Sequence, residues 1–357
     1  MEFFNLHLPI AGADFNILLL LAIGFCVGVL GGFFGVGGAW IVTPALNIFG
    51  FPMPYAIGTD FAHIFGKSIV ATKKHGKMGN VDWKLGLITM IGTIPGVEIG
   101  AQLIMYLEKI GKEVGIDIVG ISVRWTYIVM LIGLGCFMLY DYFVMRPKKI
   151  AIAEGKINAN ITGKPEKRSF VDKIRGLKIP PMISLPRSNI QAISLWVIVL
   201  IFFFCGFISG FLGVGGGFIR MPALVYLVGV PTALAVGTDL FVVMLDGGYG
   251  CLTYAYKGRV ELFAAAIMLC GAAIGAQIGV TAVKYIRGYG IRLLFAIMIL
   301  CAGISVTIKQ VDTMINQPDL NLKIISGIVI MGSATIMCLI IIIKLISAAR
   351  KENMAKT

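Results

Sequence analysis

Apolar residues run along this chain in blocks of about twenty, separated by short stretches that carry most of the charge. Long runs cover 16–34, 83–106, 123–145, 192–212, 261–284, 289–308 and 323–347. Each is long enough for a helix to cross roughly 30 Å of hydrocarbon. Shorter or interrupted runs cover 37–50, 56–72, 215–229 and 233–256. Irregular backbone at that depth must be buried in protein or line a cavity, because lipid offers it no hydrogen bonds. The pattern predicts an all-α polytopic membrane protein with helices interrupted at glycine-rich turns. Composition agrees: 14% of the residues are charged and 58% are hydrophobic, where soluble domains carry about 25% charge.

Position explains the net charge of +13. Eleven Lys/Arg and three acids lie between Arg146 and Arg187, in a stretch that also holds Pro147, Pro165, Pro180, Pro181 and Pro186. Basic loops beside apolar spans mark cytoplasmic loops, so 146–190 reads as a basic cytoplasmic linker that contacts lipid headgroups, not nucleic acid. The residues before the first apolar run lack Lys and Arg and make a poor signal peptide, which leaves the first span in place and its start outside. All seven cysteines fall in apolar stretches without CxxC spacing, which gives no metal signal.

The linker separates two halves that repeat each other, 1–145 and 191–357, the second ending in an extra helix and basic tail. Gly28 to Leu46 aligns with Gly206 to Leu224 without a gap, and eleven of the nineteen positions are identical. Further on, Gly58-Thr59-Asp60 matches Gly237-Thr238-Asp239, and Gly96, Gly100 and Gln102 match Gly271, Gly275 and Gln277. Repeats of this kind, with Gly/Pro-interrupted short segments at matching places, point to transporters with a substrate site where the halves meet. If 37–50 crosses the membrane, the first half makes five crossings and the halves are inverted, which puts Lys73, Lys74, Lys77 and the linker on one side. If it is re-entrant, four crossings remain and the chain starts inside. The first arrangement is preferred, because all the basic clusters of that half then agree.

The duplicated Gly-Val-Gly-Gly run followed by Pro-Ala-Leu, then Gly-x-Pro and Ala-x-Gly-Thr, resembles the TauE/SafE sulfite exporter family, as does Gly79-Asn80-Val81-Asp82-Trp83. The likeness covers nearly all the chain except the linker. It implies an inner-membrane permease for sulfite, sulfonates or other sulfur-containing anions. Family members commonly carry Ser after Gly-Thr, where this chain has Asp60 and Asp239.

Several residues could carry the chemistry. Glycine lets backbone take positive φ and approach a ligand closely, and a helix starting after such a turn aims free N–H groups at an anion. Gly35, Gly37 and Gly38, with Gly213, Gly215, Gly216 and Gly217, are therefore candidate substrate contacts, together with Thr59 and Thr238; the competing reading is close helix packing. Packing is the expectation for Gly96/Gly100 and Gly271/Gly275. Charged groups inside a bilayer need a reason. Asp60 and Asp239 are candidate coupling residues for H+ or Na+, with helix capping as the alternative. If the packing brings them together, they form one carboxylate pair. Lys67 and Asp246 occupy aligned positions with opposite charge and read as an intramembrane ion pair. Arg220, with its planar fork of donors, is a candidate anion contact; the alternatives are snorkelling or pairing with an Asp. Glu98 is a candidate second proton site, and His75 reads as a solvated loop residue.

The leading expectation is thus a secondary permease for a small anion. There is no Walker-type loop, catalytic motif or metal spacing, so neither cofactor nor catalytic residue is expected. The alternatives are a cation or carboxylate transporter built on Asp60 and Asp239, or a membrane scaffold using the linker as a docking surface.

Overall fold

The computed structural model describes residues 5–145, 176–177, 179–286, 288–315 and 321–354. Most of the linker (146–175) and the last three residues of the tail lie outside them. A short hairpin of β1 (Asn5–Leu8) and β2 (Ala13–Asn16) leads into α1 (Ile17–Phe34), α2 (Ala39–Phe49), α3 (Met53–Lys77), α4 (Trp83–Val114) and α5 (Ile118–Tyr140). A second hairpin, β3 (Met182–Leu185) and β4 (Ile190–Ser194), precedes α6 (Leu195–Leu212) and the short α7 (Gly217–Pro222), which runs on as a wider π-type turn to Val228. The chain then forms α8 (Thr232–Tyr256), α9 (Leu262–Ala282), α10 (Gly288–Ile315) and α11 (Leu322–Met354).

Eight of these helices are long and apolar enough to cross a membrane. α3 is not among them, because Asp60, Lys67, Lys73, Lys74 and Lys77 interrupt its apolar character. It is nevertheless a continuous 25-residue helix with a largely buried face, so the expected short segment 56–72 is the middle of a longer element. Helix ends follow local chemistry. The Asn16 side chain accepts from the amides of Leu18 and Leu19 to start α1, and Gly35 ends it in the left-handed conformation. Asp82 caps α4 through the Leu85 amide at 3.1 Å. Such caps supply partners to amides that a helix cannot satisfy internally.

Small residues set the packing. An added Cβ on Gly24, Gly28 or Gly32 of α1 would lie 2.0–2.7 Å from backbone carbonyl oxygens of Met268, Ala272 and Ala276 of α9. Gly271, Gly275 and Gly279 face the backbone of α1 equally closely. The same interlocking joins α4 and α6, where Gly92, Gly96 and Gly100 meet Val199, Phe203 and Phe207, and Gly206 and Gly210 meet Thr93 and Val97. Without a hydrophobic drive between helices in lipid, backbone contact of this kind is what holds them. Both pairs run parallel, whereas α3 and α8 run antiparallel, with Phe61 against Gly250 and Phe65 against Gly247.

These directions define two ends of the molecule. At one, the β1–β2 hairpin is anchored by Glu261 Oε2, which accepts from the amides of Ile10 and Ala11. At the other, the β3–β4 segment is tied to the start of α4 by Lys84 to Ser184 O, Arg187 to Val81 O and Ser188 to Asp82. α1 starts at the first end and α6 at the second. α2 returns towards the start of α1, where Phe49 and Phe51 pack on Phe15 at 6.3 and 5.3 Å. Residues 17–49 are therefore a helical hairpin, and 37–50 is its short returning leg. The described part of the first half begins and ends on opposite ends of the molecule.

Candidate functional site

The two glycine turns meet in the middle of the molecule. Gly35, Gly37 and Gly38 have φ of 78°, 67° and 74°, and Gly213, Gly215 and Gly216 have 74°, 58° and 65°. A Cβ on Gly217 would lie 2.4 Å from the carbonyl oxygen of Val36, so one turn rests on the other. Gly37 and Gly215 both face Ile64 of α3 and Val243 of α8. At Gly35 and Gly213 a side chain would need both strained backbone and space already filled by Val236 and Ile57. The duplicated glycines thus have a packing reason as well as a conformational one.

Charged side chains surround the turns, each fully or almost fully buried. Arg220 of α7 donates from Nε to Asp239 Oδ1 at 2.6 Å and from Nη1 to Asp246 Oδ2 at 2.5 Å. Its Nη2 donates to the carbonyl of Gly215. Asp60 accepts from the Thr43 hydroxyl at 2.9 Å and lies 3.5 Å from His63 Nδ1. Lys67 is 2% exposed, and its Nζ has no hydrogen-bond partner among the described residues. A Cβ on Gly38 would lie 3.2 Å from that Nζ.

Three expectations are corrected here, and two threonines gain a structural task. Lys67 and Asp246 are not an ion pair: Arg220, which follows the second turn by one helical turn, reaches Asp246 first and binds Asp239 with its other edge. Asp60 and Asp239 do not form one carboxylate pair either. The antiparallel register of α3 and α8 separates them by roughly 18 Å along the helix axes, and each is held within its own half. Thr59 and Thr238 are engaged structurally, since their hydroxyls accept the amides of Glu261 (3.0 Å) and Asp82 (2.9 Å), the residues that begin α9 and α4. His75 lies on α3 and is fully buried, with Nε2 3.3 Å from Gly32 O. Its aligned counterpart Tyr254 donates to Gly210 O, the counterpart of Gly32, at 2.8 Å.

Other polar groups stand away from this centre. Glu98 accepts from Gln102 and Tyr249 at 3.0 Å and from Thr253 at 3.3 Å. The site also has members that the motif alignment passes over: Thr43, Ser209 and Tyr127, whose hydroxyl donates to Leu212 O at 3.0 Å. Their signal in sequence is slight, because a hydroxyl in an apolar run commonly bonds its own helix. Two depressions lie at opposite ends of α3 and α8. One, of about 420 Å³, is lined by Pro52, Met53, Tyr55, Glu108 and Lys112; the other, of about 500 Å³, by Lys77, Asn80, Ala233 and Lys284. No group of His, Cys, Asp and Glu among the described residues could hold a metal ion.

A helical, multi-pass body with a polar centre built from two short broken segments defines a membrane transporter. The chain belongs to the TauE/SafE sulfite exporter family, whose model matches residues 20–306. It is 26% identical over 296 residues to the probable membrane transporter protein YunE of Bacillus subtilis, covering 81% of this chain and 96% of that one. It is 24% identical over 287 residues to the probable membrane transporter protein YjnA of the same organism, covering 80% and 98%. A probable membrane transporter protein of Xylella fastidiosa strain 9a5c is 25% identical over 260 residues, covering 72% and 79%. No solved structure matches the chain.

Proposed function

We propose that this transporter is a secondary permease for a small sulfur-containing oxyanion such as sulfite or a sulfonate, working by movement of two inverted, repeated halves. The observation that carries this reading is the meeting of two left-handed glycine turns beside buried cations. The amides that open the helix after each turn precede its first internal bonds, Ile41 N to Gly38 O and Ile219 N to Gly216 O, and the helix dipoles favour negative charge. An oxyanion fits such donors without a metal.

The halves exchange roles by packing: α1 on α9 is matched by α6 on α4, and both glycine turns rest on the Ile64/Val243 pair. Inverted repeats that close on one central site support alternating access by rocking of one half against the other. The basic linker and tail lie on the cytoplasmic side in this arrangement, in keeping with positive charge retained inside. Asp60 and Asp239, buried in separate halves, are coupling sites for H+ or Na+.

The test is flux in proteoliposomes with imposed pH and sodium gradients, against sulfite, sulfonates, sulfate and small carboxylates. Accumulation of a sulfur oxyanion that follows one gradient is the expected result. Transport of carboxylates alone, or of cations, would replace this substrate class. Asp60→Asn and Asp239→Asn should lose gradient-driven accumulation while still binding anion.

A further inference from the structure

The two halves carry their buried cations differently, and the difference distinguishes their roles. In the second half each nitrogen of Arg220 already has an acceptor, which takes three of its five N–H donors: Nε and Nη1 donate to two carboxylates, Nη2 to the Gly215 carbonyl. In that half the unpartnered buried polar atoms include two carboxylate oxygens, Asp239 Oδ2 and Asp246 Oδ1, and the Ser209 hydroxyl. An anion arriving there would meet uncompensated negative charge.

The first half is the reverse. Lys67 Nζ is buried and makes no hydrogen bond. The carboxylate that acts on it through space is Asp60, whose Oδ2 is already occupied by Thr43. An ammonium carries three donors, and leaving them unmet in a dry interior is costly. This Nζ lies against Gly38, which is the N-cap of α2, and that cap makes no side-chain hydrogen bond to the helix amides. α2 has eleven residues, and the amides at its start precede its first internal bond, from Ile41 N to Gly38 O at 3.1 Å. The absence of a side chain at Gly38 is what leaves room between them.

We propose that Lys67 and the N-terminal amides of α2 form the substrate-oxyanion site, and that Arg220 serves to hold Asp239 and Asp246 instead of contacting substrate. This rests on the anion-permease reading and makes it asymmetric: the first half binds the anion, while the second holds excess negative charge. A small oxyanion with several acceptor oxygens satisfies the ammonium and the helix amides together, which a spherical halide of one centre does less well.

Isothermal titration of the full chain in nanodiscs with sulfite, methanesulfonate and chloride tests the assignment. Lys67→Gln should weaken sulfite or methanesulfonate binding at least tenfold, and Lys67→Arg should retain most of it. A second measurement uses the intact protein. Lysines labelled with 13C at Cε are followed by NMR, the Lys67 signal being assigned by its loss in Lys67→Arg. That signal should shift on adding the oxyanion, so the assignment is tested even if Lys67→Gln fails to fold. Binding by wild type that is undiminished in Lys67→Gln, or a Lys67 signal unmoved at saturation, overturns the site and leaves the permease reading standing. No binding of any oxyanion to wild type overturns both.

Discussion

Arg220 Nε lies 2.6 Å from Asp239 Oδ1, across nineteen residues of chain and the junction between α7 and α8. With the bond to Asp246, this fastens the short helix after the second glycine turn to the long helix behind it. Arg220→Gln leaves two buried carboxylates without their cation and should cost about 3–5 kcal/mol. Asp246→Asn keeps the Asp239 bond and should cost clearly less. Thermal unfolding of the purified variants gives the ranking, and equal melting temperatures for wild type and Arg220→Gln would show that the cluster does not hold the fold.

The glycine contacts give a sharper packing test. A Cβ on Gly275 would sit 2.3 Å from the Phe25 carbonyl, while Gly133 has no heavy atom within 4 Å of such a Cβ. Gly275→Leu should separate α1 from α9 and destabilise by 1–3 kcal/mol or more. Gly133→Leu should be neutral. The contrast between the two in detergent stability is the readout; similar effects would mean that α1 and α9 do not interlock.

At the end of the molecule near the β1–β2 hairpin, Arg259 donates to both oxygens of Glu108 at 2.6 and 3.0 Å and stacks over Tyr55 at 4.9 Å. The aligned positions at the other end, Asn80 and Val283, have no charges to pair. Glu108→Gln should therefore loosen one end selectively. Labelling of a cysteine placed at Met53, in a background without native cysteines, should become several-fold faster in that variant. An unchanged rate would remove the pair as a closing contact.

Topology follows from the same geometry. Cysteines introduced at Lys84 and Lys284 should react from the cytoplasmic side, and those at Lys257 and Lys109 from the other. A cytoplasmic reaction at Lys257 with none at Lys84 would invert the arrangement.

Much of this was readable in the sequence because lipid simplifies the code. Apolar blocks of sufficient length must be helices, so most spans were visible from composition. The Gly-Val-Gly-Gly turns were visible because only glycine accepts three left-handed residues in four. α3 was the least legible helix: its buried Asp60, His63, Lys67 and His75 make a core element look polar. Bilayer-facing helices such as α11 present no such ambiguity.

What sequence by itself determined is therefore the class of protein, the broken segments and which residues carry charge at membrane depth. Only the tertiary structure decided who meets whom. Alignment paired Lys67 with Asp246 by position, and the antiparallel register of α3 and α8 does bring them to about the same level, but the reach of Arg220 gave Asp246 a different partner. The structural task of Thr59 and Thr238 was likewise hidden, because the amides of Glu261 and Asp82 are brought to them from some 200 and 156 residues away. Spacing along a chain reports which side chains share a helix face. The partners across that face are fixed by how far each neighbouring helix slides before its glycines lock against backbone, and that distance is a property of the packed whole.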